Sequence, residues 1–329
     1  MKKKPIKISE TSFQYTFEEI YGQHEAKRAL EIAAAGGHNV LLTGPPGTGK
    51  SLLAKSIVSI LPDLESEELL AVNSIYSISG LLDRNLISQR PFRTPHHTIS
   101  STAMIGGGKS LNPGEISLAH RGILFMDEFF EFPTNILESL RQPLEDGTIT
   151  ISRISGNSTY PCECMLIAAS NPCPCGYRFS QMKTCSCTQN QYIAYKKKMS
   201  GPIIDRIDIR VFVQPVETKL LTTTSLQQNA TSSDIRKKVG IARRIQVERY
   251  KDECILTNSQ LTTRLISKFC NLTIEAEKLL KRSNQKYQLS TRSFFRIIKV
   301  AQTIADLSQK SEISVENIAE ALQYRKLEL

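Results

Sequence analysis

The sequence contains no apolar run that approaches the roughly 20 residues a helix needs to cross a bilayer, which excludes a helical membrane-spanning protein. No apolar stretch follows the basic start Met1-Lys2-Lys3-Lys4-Pro5-Ile6-Lys7, so the first residues do not read as a secretory signal. No internal repeat is visible, which sets aside solenoids and propellers. Acidic residues are in deficit, 32 Asp+Glu against 42 Lys+Arg, leaving a net charge of +10. The expected compartment is the cytosol, where the eight cysteines would be reduced thiols or metal ligands rather than disulfides.

The 329 residues are enough for about two domains. With 40% hydrophobic and 22% charged residues, the chain is neither disordered nor fibrous. The charge is uneven. Residues 1–215 hold 22 Lys+Arg against 20 Asp+Glu, whereas residues 216–329 hold 20 against 12. The basic excess therefore belongs mainly to the C-terminal third and suggests a polyanionic partner there.

Four buried-strand candidates stand out: Val40-Leu41-Leu42-Thr43, residues 122–128, residues 165–171, and residues 207–213. The last alternates more and is expected nearer an edge. Nearly continuous apolar strands separated by helical stretches predict an α/β fold with a parallel sheet covered on both faces. Residues 216–233 are polar and aperiodic, the pattern of a linker. Beyond it the pattern is helical: Phe294, Ile297, Ile298, Ala301, Ile304 and Ala305 share one face, and a last helix is expected from about Val315 to Tyr324 with Ser314 as N-cap.

The first strand leads into Gly44-Pro45-Pro46-Gly47-Thr48-Gly49-Lys50-Ser51, a full match to the phosphate-binding pattern G-x-x-x-x-G-K-[ST]. Its glycines let backbone N–H groups face phosphates, and the helix that follows adds its positive end. Lys50 would reach the β and γ phosphates, and Ser51 would coordinate Mg²⁺. Asp127-Glu128 closes the strand Ile123-Leu124-Phe125-Met126, so Asp127 would complete the Mg²⁺ shell and Glu128 would polarise the attacking water. Taken alone, two acids after a strand equally suit a helix cap. Asn171 closes the third strand and would orient that water, unless Asn171-Pro172 merely begins a turn.

This layout, with Arg206, resembles an AAA+ ATPase. Longer strings resemble the magnesium-chelatase-like ComM/YifB family in particular. They include Arg90-Pro91-Phe92-Arg93-Thr94-Pro95-His96-His97-Thr98, Gly106-Gly107-Gly108, Pro113-Gly114-Glu115-Ile116, Asn171-Pro172-Cys173-Pro174-Cys175-Gly176 and Asp205-Arg206-Ile207-Asp208. The resemblance runs from about Phe17 to Leu327. It implies a P-loop AAA+ core with a parallel sheet flanked by helices, followed by an all-α lid. The expected division is residues 1–215 for the nucleotide-binding domain, with an insert around 73–120 and a Cys-rich loop at 172–190. A linker at 216–233 and a helical lid at 234–329 follow. Arg206 matches the family's arginine finger, reaching the γ-phosphate held by a neighbouring subunit; its alternative is an ordinary pair with Asp205 or Asp208. Arg292 matches the sensor-2 arginine, which would couple nucleotide state to lid position; Arg296 is the competing choice, and a solvated helix-face arginine the alternative. Family members usually carry an extra N-terminal domain resembling the Lon protease domain, and this sequence starts a few residues before the ATPase core.

Cys173 and Cys175 form one close pair and Cys185 and Cys187 another, with nine residues between them. Four thiolates would hold Zn²⁺ tetrahedrally and staple the loop; the alternative is four reduced thiols. Cys162 and Cys164 are placed on a strand, as core residues or alternate ligands, and Cys254 and Cys270 in the core. The adjacent His96 and His97 read as structural or substrate-facing. Arg90, Arg93 and Lys109 would suit an anionic substrate in a central pore.

The leading reading is an ATP-hydrolysing homo-oligomeric motor, a hexameric ring, with ATP and Mg²⁺ as ligands. The resemblance implies DNA as substrate, with branch migration during uptake or recombination. Competing readings are the motor subunit of a magnesium or cobalt chelatase and a non-catalytic nucleotide-gated scaffold. The intact Lys50, Asp127, Glu128 and Arg206 argue against the scaffold.

Overall fold

Val40–Thr43 (β1), Ile123–Met126 (β5) and Met165–Ser170 (β8) are buried at every position, as expected of strands covered on both faces. In the structure, a computed structural model, they form the centre of a five-stranded parallel sheet. Residues 13–82, 86–108, 110–153, 156–179, 183–199, 203–216 and 230–325 are described. Phe92–Arg93 (β2) and Ile209–Phe212 (β9) are the edges, in the order β2-β5-β8-β1-β9. Val40 pairs with Ile167 on one side and Ile209 on the other, which aligns the starts of β1 and β9. The alternating segment is therefore the edge strand predicted.

Side-chain alternation splits the core in two. Val40, Leu42, Ile123, Phe125, Ile167 and Ala169 face one layer. Leu41, Leu124, Met126, Leu166 and Ala168 face the other. The first layer is covered by α1 (His24–Gly36), α2 (Lys50–Ser56) and the C-terminal helices. Around the second lie α4 (Ser101–Ile105), α5 (Glu115–Leu118), α6 (Thr134–Ser139), α7 (Pro143–Asp146) and α8 (Gln189–Met199), while α3 (Ser66–Ile78) packs on Leu118 of α5 in a third, smaller cluster.

Two antiparallel ladders were not apparent in the sequence: β3 (Gly106–Gly107) with β4 (Asn112–Pro113), and β6 (Thr148–Arg153) with β7 (Gly156–Pro161). The second ladder corrects the placement of two cysteines. Cys162 and Cys164 lie between β7 and β8, not on a strand. Cys270 is buried as expected, but Cys254 is exposed.

The C-terminal helices are α9 (Ser232–Arg249), α10 (Thr263–Phe269), α11 (Ile274–Tyr287), α12 (Thr291–Leu307) and α13 (Val315–Gln323). Ser314 caps α13 through a reciprocal bond with Asn317, at the predicted start. Ile297, Ile298, Ala301 and Ile304 of α12 join the first layer, and Ala305 beside them is buried too. Residues 217–229, most of the expected linker, lie outside the described residues, as does Lys109.

A buried polar network joins these helices to the N-terminal ends of the strands. His38 Nδ1 lies 3.2 Å from Asp208 Oδ2 and His38 Nε2 lies 2.8 Å from Thr303 Oγ1. Asn258 donates to Thr303 Oγ1 at 2.9 Å and to Asp306 at 2.8 Å, and Arg249 pairs with Asp306. Asn39 joins three strand starts: its Nδ2 donates to the Arg206 carbonyl at 3.0 Å, and its Oδ1 accepts from Leu166 N at 2.8 Å.

Candidate nucleotide site

The turn from β1 into α2 needs glycine for two different reasons. Gly47 and Gly49 have φ of 78° and 85°, the left-handed region in which a side chain is strained. At Gly44 the reason is space, because a Cβ there would stand 2.3 Å from the Val213 carbonyl oxygen. Thr48 Oγ1 closes the loop by donating to the Pro45 carbonyl at 2.9 Å. Lys50 Nζ donates to the Gly44 and Pro45 carbonyls at 2.7 and 2.8 Å and to Asn171 Oδ1 at 3.3 Å. Burial pushes its ammonium down to about 8, against the pull of Asp127 in the other direction.

Ser51 Oγ donates to Asp127 Oδ2 at 2.7 Å. Two hard oxygen donors meeting at the start of a helix fit a Mg²⁺ site. Asp127 Oδ1 accepts from Glu128 N at 2.9 Å, and Glu128 adopts a left-handed backbone, φ 51°, unusual for a residue with a side chain. Its exposed carboxylate lies 3.5 Å from His97 Nδ1. The loop after β2 thus delivers His97 to the acid, a contact that sequence reasoning missed.

Asn171 ends β8 beside Lys50, and the Tyr195 hydroxyl of α8 donates to its carbonyl at 3.0 Å. The cysteine loop follows at once. The four sulfurs of Cys173, Cys175, Cys185 and Cys187 all lie within 4.8 Å of one another, with three pairs at 3.5, 3.7 and 3.5 Å. Tetrahedral Zn²⁺ with Zn–S of about 2.3 Å requires sulfurs about 3.8 Å apart, so the cage has the right size. Backbone N–H groups of Cys175 and Arg178 donate to the sulfurs of Cys187 and Cys173 at 3.3 and 3.4 Å.

The arginines lie elsewhere. Arg206 sits in a 3-10 turn, Ile204–Arg206, that precedes β9, whereas the phosphate loop follows β1. In a parallel pair with aligned starts these are opposite ends, about 10 Å or more apart along the strands. Arg206 is buried and makes an ordinary intramolecular pair, with Glu145 of α7 rather than with Asp205 or Asp208. Arg292 Nη2 comes within 4.0 Å of the same Glu145, so the two arginines converge. Arg296 is instead half-buried and bonded to Asp208 Oδ1 at 2.8 Å, a structural contact.

Two family models cover the chain: "Magnesium chelatase, subunit ChlI" over residues 16–221 and its C-terminal counterpart over residues 229–325. The chain is 40% identical over 326 residues to the uncharacterized protein YifB of Escherichia coli, covering 99% of this chain and 63% of that one. It is 42% identical over 317 residues to the competence protein ComM of Haemophilus influenzae, covering 94% and 60% respectively. The chain belongs to the magnesium-chelatase-like family that includes ComM and YifB. It spans about three-fifths of the length of those relatives. A more distant similarity, 27% over 254 residues, links it to the DNA replication licensing factor mcm2 of Xenopus laevis, of which it covers 25%.

Within this family member, two basic residues expected to face an anionic substrate are already paired. Arg93 makes a two-pronged bond to Glu115 at 2.6 and 2.7 Å. Arg90 binds Glu68 at 2.8 Å and the Pro62 and Arg121 carbonyls at 2.7 Å each. Sequence reasoning also missed Gln23, whose amide donates to the Gln214 carbonyl at 2.6 Å and to that of Thr48 at 3.4 Å, docking the start of α1 on the phosphate loop. Gly22-Gln23, just before a helical pattern, was the available signal. Among the described residues, no helix is long and apolar enough to cross a membrane.

Proposed function

We propose that this chain is the ATP-hydrolysing module of a cytoplasmic ring motor that acts on DNA. The observation that carries the reading is the cluster of Lys50, Ser51, Asp127 and Asn171 at one end of the sheet, with Arg206 and Arg292 together at the other. In this reading Gly44, Pro45, Pro46, Gly47, Thr48 and Gly49 wrap the phosphates with backbone N–H groups, and Lys50 holds the β and γ phosphates. Ser51 and Asp127 would hold Mg²⁺, which neutralises charge on the phosphate oxygens when bound. Glu128 draws the proton of the attacking water, and Asn171 fixes the position of that water.

Arg206 and Arg292 serve the nucleotide of a neighbouring subunit, because their own lies at the far end of the sheet. Head-to-tail contact of this kind closes into a ring, and the expected size is a hexamer. The division into an ATPase domain at 1–215, a linker at 216–233 and a lid at 234–329 is part of the same reading. So is Zn²⁺ held by Cys173, Cys175, Cys185 and Cys187.

The names of two relatives, a competence protein and a DNA replication licensing factor, support DNA as substrate, as does the basic C-terminal third. Branch migration during uptake or recombination is the activity that best fits the first of them. The name of the matching family model favours a second reading, the motor of a metal chelatase. ATP turnover measured with single-stranded, duplex and branched DNA across salt concentrations separates them. Stimulation that fades with salt supports the DNA motor, and turnover indifferent to DNA overturns it.

A further inference from the structure

The cysteine cage is joined to the phosphate site at two points. Asn171, two residues before Cys173, touches Lys50 through its side chain at 3.3 Å. Gly176, next after Cys175, lies against Pro46 so closely that a Cβ on it would come 2.6 Å from Pro46 Cδ. Gly176 adopts φ 83°, so the chain turns back onto the phosphate loop at a point only glycine tolerates well. The outer side of the cage is anchored too. The Arg178 guanidinium stacks over the Tyr192 ring at 3.5 Å, and Tyr195 on the same helix bonds the Asn171 carbonyl.

We propose that the metal held by Cys173, Cys175, Cys185 and Cys187 is a brace for the phosphate-binding loop, so that nucleotide affinity depends on metal loading. This rests on the reading that the four thiolates bind Zn²⁺. Without a metal the four sulfurs, all within 4.8 Å of one another, take up protons, and contacts between neutral thiols hold the loop far less firmly than four metal–sulfur bonds. Releasing the metal frees the segment that presses on Pro46 and the strand end that carries Asn171. The loop then loses its preset shape, and nucleotide binding must supply the ordering.

The test uses the full chain, with zinc content measured by mass spectrometry and affinity read with a fluorescent ADP analogue. Expected are one zinc per chain, affinity about tenfold weaker after chelator treatment, and recovery on adding Zn²⁺. Cys185→Ser with Cys187→Ser should bind no zinc and match the stripped protein, with helix content unchanged by circular dichroism. Should that variant fail to fold, the strip-and-reload comparison on the unsubstituted chain decides. Pro46→Ala should keep its zinc and lose less affinity on stripping than the unsubstituted chain, because only the Asn171–Lys50 link remains. A zinc-loaded chain whose affinity is unchanged by stripping overturns the brace and leaves the metal site standing. Absence of bound zinc overturns the metal site, and the brace with it.

Discussion

The two ends of the central sheet treat polar groups in opposite ways. At the C-terminal ends of β1, β5 and β8, Asp127 and Glu128 are exposed and Ser51 and Asn171 half-buried, each with few bonds. At the N-terminal ends, His38, Asp208, Asn258, Thr303 and Asp306 are buried and linked to one another. The first end is accessible for chemistry. The second fixes the C-terminal helices, and with them Arg292, onto the turn that carries Arg206.

Substitutions should separate the two ends. The largest effect is expected from Glu128→Gln: turnover should fall by about 10²–10⁴ while the fluorescent nucleotide still binds. Equal turnover would refute the role given to Glu128. Next comes Asp208→Ala, which leaves the buried His38 and the half-buried Arg296 without their shared partner. It should cost about 3–5 kcal/mol in denaturant unfolding, whereas Asp127→Ala should cost about 0.5 kcal/mol. Similar losses from both would erase the contrast between the ends.

A third effect depends on pH. Burial pushes His120 down to about 4, with Arg121 acting in the same direction and Glu68 opposing. His120 Nδ1 accepts from the backbone N of Glu163 at 3.1 Å, a bond only the unprotonated nitrogen can accept. The unfolded chain thus binds the proton first, so stability falls as pH drops from about 6.5 to about 4, by at most about 3 kcal/mol. His120→Gln should flatten that part of the stability–pH curve. The smallest effect is expected from His97→Ala, a few-fold change in turnover with the melting temperature unchanged, since His97 touches Glu128 near solvent. A large melting shift would instead make His97 structural.

The sequence marked the grouped polar residues at one end of the sheet better than those at the other. The phosphate loop is legible because its glycines, Lys50 and Ser51 are contiguous, and hydrogen-bond geometry dictates their spacing. Asp127 and Asn171 are legible because each ends an apolar run. The network at the other end is assembled from His38, Asp208, Asn258 and the Thr303–Asp306 pair of one helix, brought together across long stretches of chain, and no local pattern marks them. The same holds for Gly176 against Pro46 and His97 against Glu128, contacts that exist only after the sheet has formed. The two-residue strand β2 is too short to show any periodicity.

The separation of Lys50 from Arg206 has a genetic consequence. If each working site takes its phosphate loop from one chain and its arginines from the next, a loop-defective chain still lends a sound arginine end to its neighbour. Two variants, Lys50→Ala and Arg206→Ala, each inactive alone, should therefore restore part of the turnover when mixed. A single mixed junction, Arg206 from one and Lys50 from the other, would suffice.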